Sequence, residues 1–108
     1  MPTLTPTATV PPPDIVLYDQ INLGGTALPV TGGPGIYPFG FFNSNGWNDR
    51  VESFTAPSTI TVQLCLHGNR VICWEFTGTQ MTLPVGIAGE ASWMCIEEVA
   101  NPTCPDLP

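Results

Sequence analysis

An all-β domain of two packed sheets, stapled by disulfides, is the fold class this sequence predicts, and three observations point to it. Between Asp14 and Val99 short apolar stretches are broken at intervals by glycine, proline and asparagine, the punctuation of a β-sandwich or barrel. No apolar stripe of 3.6-residue period runs long enough for a helix. Four cysteines, an even number, sit in 108 residues, which suits a small domain that adds covalent staples to a modest core.

Taken in chain order, residues 1–13 (MPTLTPTATVPPP) contain proline, threonine and small residues with almost nothing to bury. They read as an extended linker or an arm. Strands are expected near 15–19, 26–30, 50–56, 59–66, 70–77, 79–84 and 91–98, where β-branched and aromatic residues gather between turn formers. The clearest hairpin runs Leu64-Cys65-Leu66, turn His67-Gly68-Asn69-Arg70, then Val71-Ile72-Cys73, because glycine and asparagine accept the positive φ of tight turns. It sets Cys65 roughly opposite Cys73. Residues 100–108 form a proline-rich tail, held near the domain if Cys104 is bridged.

The cysteines contain no C-x-x-C pair, so a zinc ribbon or a thioredoxin-like site has no spacing to rest on. Three pairings of four cysteines exist; the favoured one joins Cys65 to Cys73 across the hairpin and Cys95 to Cys104 at the tail. Disulfides place the chain in an oxidising compartment, secreted or at the cell surface. The first residues have neither a basic start nor an apolar run, so a leader has been removed or these residues belong to a larger parent polypeptide. No stretch is long enough to insert in a membrane as a helix. With two arginines, no lysine and nine acids, the net charge is -7. That balance excludes nucleic acid as a partner, since binding to phosphates needs a basic face.

Two segments of the first half carry a family resemblance: Tyr18-Asp19-Gln20-Ile21-Asn22-Leu23-Gly24-Gly25, and Trp47-Asn48-Asp49-Arg50-Val51-Glu52-Ser53-Phe54. The first resembles the folded hairpin of the βγ-crystallins, in which an aromatic ring packs on a large apolar residue and glycine takes a backbone shape closed to other residues. The second is similar to that family's calcium stretch: two Asn/Asp residues, two variable ones, then Ser/Thr and Ser. Five of its six positions match, with Glu52 standing where the family has a hydroxyl. The second half repeats the plan more weakly. Ala88-Gly89-Glu90-Ala91-Ser92-Trp93 falls where Asn48 to Ser53 fall, but without the acid pair. The resemblance spans about residues 14–99 and implies a two-sheet Greek-key sandwich of the βγ-crystallin type.

It also implies a site. Asp49 would give calcium a side-chain oxygen, Arg50 a backbone carbonyl and Glu52 a carboxylate, with a further carbonyl from the hairpin at Asp19 and Gln20. Asn48 and Ser53 complete the stretch. Calcium takes six to eight oxygens in flexible geometry, and such a loop supplies both carboxylates and carbonyls. The alternative stays open: Asn48 and Ser53 hydrogen-bond the loop backbone as ordinary turn residues do.

Catalytic constellations are not expected. His67, the sole histidine, belongs to a hairpin turn, and adjacent Glu97 and Glu98 point to opposite faces of a strand. The aromatic run Phe39, Phe41, Phe42, with Trp47, Trp74 and Trp93, is expected in the core, Phe39 and Phe41 sharing one face and Phe42 the other if the segment is extended. The functional expectation is an extracellular, non-enzymatic structural or adhesive module with a single calcium site. Two rivals stand beside it: a self-assembling fibre subunit that associates through residues 1–13, and a small secreted protease inhibitor or toxin-like protein.

Overall fold

The computed structural model describes residues 15–66, 70 and 72–108. Seven strands and one short helix follow one another: β1 (Ile15–Gln20), β2 (Gly24–Val30), β3 (Gly35–Tyr37), α1 (Phe39–Ser44), β4 (Ser53–Thr55), β5 (Ile60–Leu66), β6 (Cys73–Thr77) and β7 (Ala91–Glu98). All strand pairs are antiparallel. The first sheet runs β2-β1-β4 and the second β3-β7-β5-β6. Residues 1–13, with the arm they were expected to form, and the hairpin tip at 67–69 with His67 lie outside the described residues.

The two halves exchange strands. β3, from the first half, sits beside β7 of the second sheet, with Gly35 opposite Ile96 and Tyr37 opposite Met94. In return, Gln80 bridges Phe54 on the far side of β4; the Phe54 N–H donates to the Gln80 carbonyl at 3.0 Å and the Gln80 N–H to the Phe54 carbonyl at 2.9 Å. Each half thus lends its third strand to the other's sheet, which makes a pair of interlocked Greek keys. The expected strand at 79–84 contracts to this one bridge, because Gly78 takes φ +78° on one side and Pro84 has no N–H to pair on the other.

Period-two alternation explains the core. Ile15 and Leu17 of β1, Val62 and Leu64 of β5, and Met94 and Ile96 of β7 turn inward and are fully buried, with Phe54 and Phe42 between the sheets. The aromatic run departs from the extended shape expected of it. Residues 39–44 wind into α1 after Pro38, and the turn ends at Gly46 in the left-handed region, φ +70°. A helical turn separates the rings differently: Phe42 is buried, Phe41 packs edge-on against it at 5.4 Å between centroids, and Phe39 is left exposed. Six residues are too few to show a helical stripe in the sequence.

β5 and β7 are buried on both faces. Their outward residues, Gln63, Cys65, Trp93, Cys95 and Glu97, would face water in an open sandwich, yet all are buried. The C-terminal tail covers them. Cys104 is disulfide-bonded to Cys95, its N–H donates to Glu97 Oε1 at 2.8 Å, and Gln63 Nε2 donates to the Pro105 carbonyl at 2.9 Å. Arg70 ties the same strap from the hairpin side, donating to Gln63 Oε1 and to the Asp106 carbonyl while its guanidinium lies 5.1 Å from the centre of the Trp93 ring. The other disulfide joins Cys65 to Cys73, so the structure adopts the favoured pairing. Cys65, Trp93 and Cys95, with Cys73 and Cys104 against them, form a second, smaller core.

Candidate functional site

The hairpin between β1 and β2 is folded over rather than extended. Asn22 and Leu23 both take φ 59°, and Gly25 takes φ +77°, a region in which a Cβ is costly. At Gly25 a Cβ would also collide with Asp19 Oδ1. Ser53, fully buried at the start of β4, holds the fold-over: its hydroxyl donates to the Gln20 carbonyl at 2.6 Å and accepts from the Leu23 N–H at 3.0 Å. Both of these bonds are to hairpin backbone, so the structure commits the Ser53 hydroxyl to a staple.

Asp19 is engaged in the same way. One carboxylate oxygen accepts from the Thr26 N–H at 2.8 Å and the other from Arg50 at 2.6 Å. The Arg50 guanidinium, and after it the Thr26 N–H, hold the Asp19 carboxyl below its ordinary range. Arg50 also donates to the Gly46 carbonyl at 2.9 Å and lies 4.8 Å from the centre of the buried Trp47 ring. Its side chain therefore clamps hairpin to loop, while its carbonyl remains the group expected to face an ion.

Beyond Gly46, the loop 46–53 meets the loop 86–93 along a seam with approximate two-fold symmetry. The Asp49 N–H donates to the Ala91 carbonyl at 3.1 Å, and the Gly89 N–H donates to the Val51 carbonyl at 2.8 Å. These two bonds exchange under the rotation that maps Asp49 onto Gly89 and Val51 onto Ala91. The backbone agrees, with φ +60° at Asp49 and +69° at Gly89. Glu52 then corresponds to Ser92, and Ser53 to Trp93. The alignment of 48–53 with 88–93 read from the sequence is the alignment the seam adopts.

Across it lies the feature that sequence reasoning missed. A Cβ placed on Gly89 would come 2.6 Å from Glu52 Oε2 and 3.9 Å from the Asp49 carbonyl oxygen. The Glu52 carboxylate thus reaches over the seam into the space a side chain at position 89 would enter. The signal was available in part: glycine at the place of Asp49, opposite a glutamate in place of a hydroxyl. What was missing was the pairing that brings them together.

Oxygens collect in this region in a form that suits a hard cation. Asn48 Oδ1 is buried with no hydrogen-bond partner, although Asn48 Nδ2 donates to Asp49 Oδ2 at 3.4 Å, and an orphaned buried acceptor is costly unless something satisfies it. Asp49 is exposed at the loop's turn. Asn48, Asp49, Arg50 and Glu52 are brought together in one loop, whereas Asp19 and Ser53 stand behind it as supports. Among the described residues no three His, Cys, Asp or Glu side chains converge as a group. A cation here would draw on amide and carbonyl oxygens beside the carboxylates, a donor set that fits calcium rather than zinc.

No family model matches the sequence, and no curated protein does. Solved structures do. A βγ-crystallin domain from Clostridium beijerinckii superposes with a TM-score of 0.69 at 24% identity, covering 77% of this chain and 95% of that one. A βγ-crystallin domain from Flavobacterium johnsoniae gives 0.72 at 19% identity, over 82% and 99%. A double mutant of clostrillin, solved in complex with nickel, gives 0.69 at 24% identity, over 76% and 94%. The exchanged third strands, the folded hairpin and these likenesses agree: the fold is of the βγ-crystallin type.

Proposed function

We propose that this βγ-crystallin-type domain is a secreted, non-enzymatic structural module stabilised by one calcium ion in the loop 46–53. Asn48 and Asp49 would contribute side-chain oxygens, Arg50 its carbonyl and Glu52 its carboxylate. The observation that carries the reading is the orphaned Asn48 Oδ1, buried in a loop whose neighbours are oxygen donors. The ion would supply a divalent charge that links the loop to the seam, and Arg50 and Ser53 would hold loop and hairpin in register around it. Support for secretion comes from the two disulfides, which persist in oxidising surroundings.

Thermal unfolding in chelator and in excess calcium tests the proposal. An ion bound only by the folded loop stabilises by mass action, about 2.7 kcal/mol at a hundredfold excess over Kd. For a domain of this size that is a rise of about 12 °C in Tm. Asp49→Ala should remove most of the rise. Superimposable melts of the unaltered protein in the two buffers would sink the calcium reading.

A further inference from the structure

We infer that the open edge of β6 is a docking site for β6 of a second copy, so that two copies join their four-stranded sheets antiparallel about a two-fold axis at Trp74.

Four strands stand at sheet edges: β2 and β4 in the first sheet, β3 and β6 in the second. An open edge is a template for another strand, and proteins blunt it with proline, brevity or a cover. Among the described residues three of the four are blunted. β2 carries Pro29, the Gln80 bridge closes β4, and β3 has three residues between Pro34 and Pro38. β6 has no proline, no basic residue and an unbroken register with β5.

The ladder shows which groups that edge presents. The Leu66 N–H donates to the Ile72 carbonyl at 3.0 Å and the Gly78 N–H to the Ile60 carbonyl at 3.1 Å, so by alternation Trp74 and Phe76 are the residues that bond β5. Cys73, Glu75 and Thr77 then turn their N–H and C=O groups outward. Close side-chain approach at these pairs agrees: Cys65 and Cys73 are 4.1 Å apart at Cα, and the Oγ1 atoms of Thr61 and Thr77 are 3.0 Å apart. Among the described residues, only the Thr77 carbonyl finds a partner on that side, Gln80 Nε2 at 3.3 Å.

An antiparallel edge is complementary to itself, as a two-fold interface requires. Glu75 selects the register. A two-fold on Glu75 sets carboxylate against carboxylate. One on Phe76 sets Trp74 against Gly78, whose φ of +78° turns the chain away, and calls on the Thr77 carbonyl that Gln80 already holds. A two-fold on Trp74 pairs Cys73 with Glu75 of the second copy, exchanging both N–H···O bonds, and covers the half-exposed Ile72 with Phe76. The net charge of -7 on each copy opposes this pairing, so added salt strengthens it.

Sedimentation equilibrium of the full chain reads the association, and amide hydrogen exchange followed by NMR reads the edge. One strand pair is a small interface, so a Kd on the order of 100 µM is expected. It should fall at least threefold between about 20 and about 300 mM NaCl. At about 1 mM protein the Cys73 and Glu75 amides should exchange about fivefold more slowly than at high dilution, while those of Trp74 and Phe76, already bonded to β5, do not change. Glu75→Pro removes an outward N–H without touching the ladder to β5 and should weaken association at least tenfold. Glu75→Gln, which removes two carboxylates that lie diagonal across the axis, should tighten it. Ile72→Ser, neutral and outside the ladder to β7, should weaken it about fivefold. Melting curves report whether each variant folds. A chain that stays monomeric at about 1 mM in about 300 mM NaCl overturns the inference. So does a dimer that a folded Glu75→Pro leaves intact. If that variant does not fold, the exchange pattern and Ile72→Ser decide: a dimer in which the Cys73 and Glu75 amides gain no protection, or one indifferent to Ile72→Ser, uses another surface and overturns the inference equally.

Discussion

Replacing Ser53 by alanine separates a staple from a metal ligand. The Ser53 hydroxyl is fully buried and makes two hydrogen bonds, donating to Gln20 at 2.6 Å and accepting from Leu23 at 3.0 Å. Each such bond contributes about 1 kcal/mol net. The alanine variant also strands one acceptor and one donor in a hairpin whose Asn22 and Leu23 already sit at positive φ, so a loss of about 2 kcal/mol is expected. With an unfolding entropy of about 2.1 cal/mol/K per residue, that lowers Tm by about 9 °C. Differential scanning calorimetry in chelator and in calcium is the assay. If the hydroxyl is a staple, the drop is the same in both buffers. A drop seen only in calcium would make Ser53 a ligand and refute the structural role; no drop in either would refute the hydrogen-bond accounting.

Three further expectations concern the rest of the molecule. Cys104→Ser frees the tail from Cys95; the closed loop is short, so roughly 2.5 kcal/mol is lost in the chain-entropy model, and Trp93 fluorescence should shift to longer wavelength as the strap lifts. Because Arg50 holds the Asp19 carboxyl below its ordinary range, the stabilisation from this pair is complete above that range and disappears as pH falls through the lowered value. Tm measured as a function of pH between roughly 5 and 2 should thus fall less steeply in Asp19→Asn than in the unaltered chain. Deleting residues 1–13 is expected to leave Tm and oligomeric state unchanged, as for a spacer with no apolar face; filaments of the intact chain that vanish on deletion would instead establish assembly through the arm.

Much of the architecture was legible because β-branched, aromatic and other apolar residues gather between turn formers, and β1, β2, β5, β6 and β7 lie in such stretches. The Cys65–Cys73 pairing follows from a hairpin that sets two cysteines, eight residues apart, opposite one another. The failures have physical causes. β3 is three residues long, α1 is six, and the third strand of the second key is one bridge, lengths at which periodicity carries no information. In the site, the stretch 48–53 was readable as a unit. The capture of Asp19 by Arg50 was not, since a variable position 31 residues away gave no sign that its side chain would turn back to the hairpin. The role of Gly89 depended equally on contact between distant loops.

The two keys solve the same mechanical problem by different chemistry. The register shows which positions are equivalent: Tyr18 lies opposite Ser53 in the first key, and Cys65 lies opposite Trp93 in the second. In the first, a buried hydroxyl bonds the hairpin backbone and an Arg–Asp pair clamps it from outside. In the second, Cys65 forms a covalent link to Cys73 on the returning strand, and Trp93 takes the place of Ser53. A bulky apolar ring there would be exposed on the outer face, so a cover is required, and the tail fastened through Cys95–Cys104 and Arg70 provides it. Covalent bonds thus hold the second key where hydrogen bonds and an ion pair hold the first.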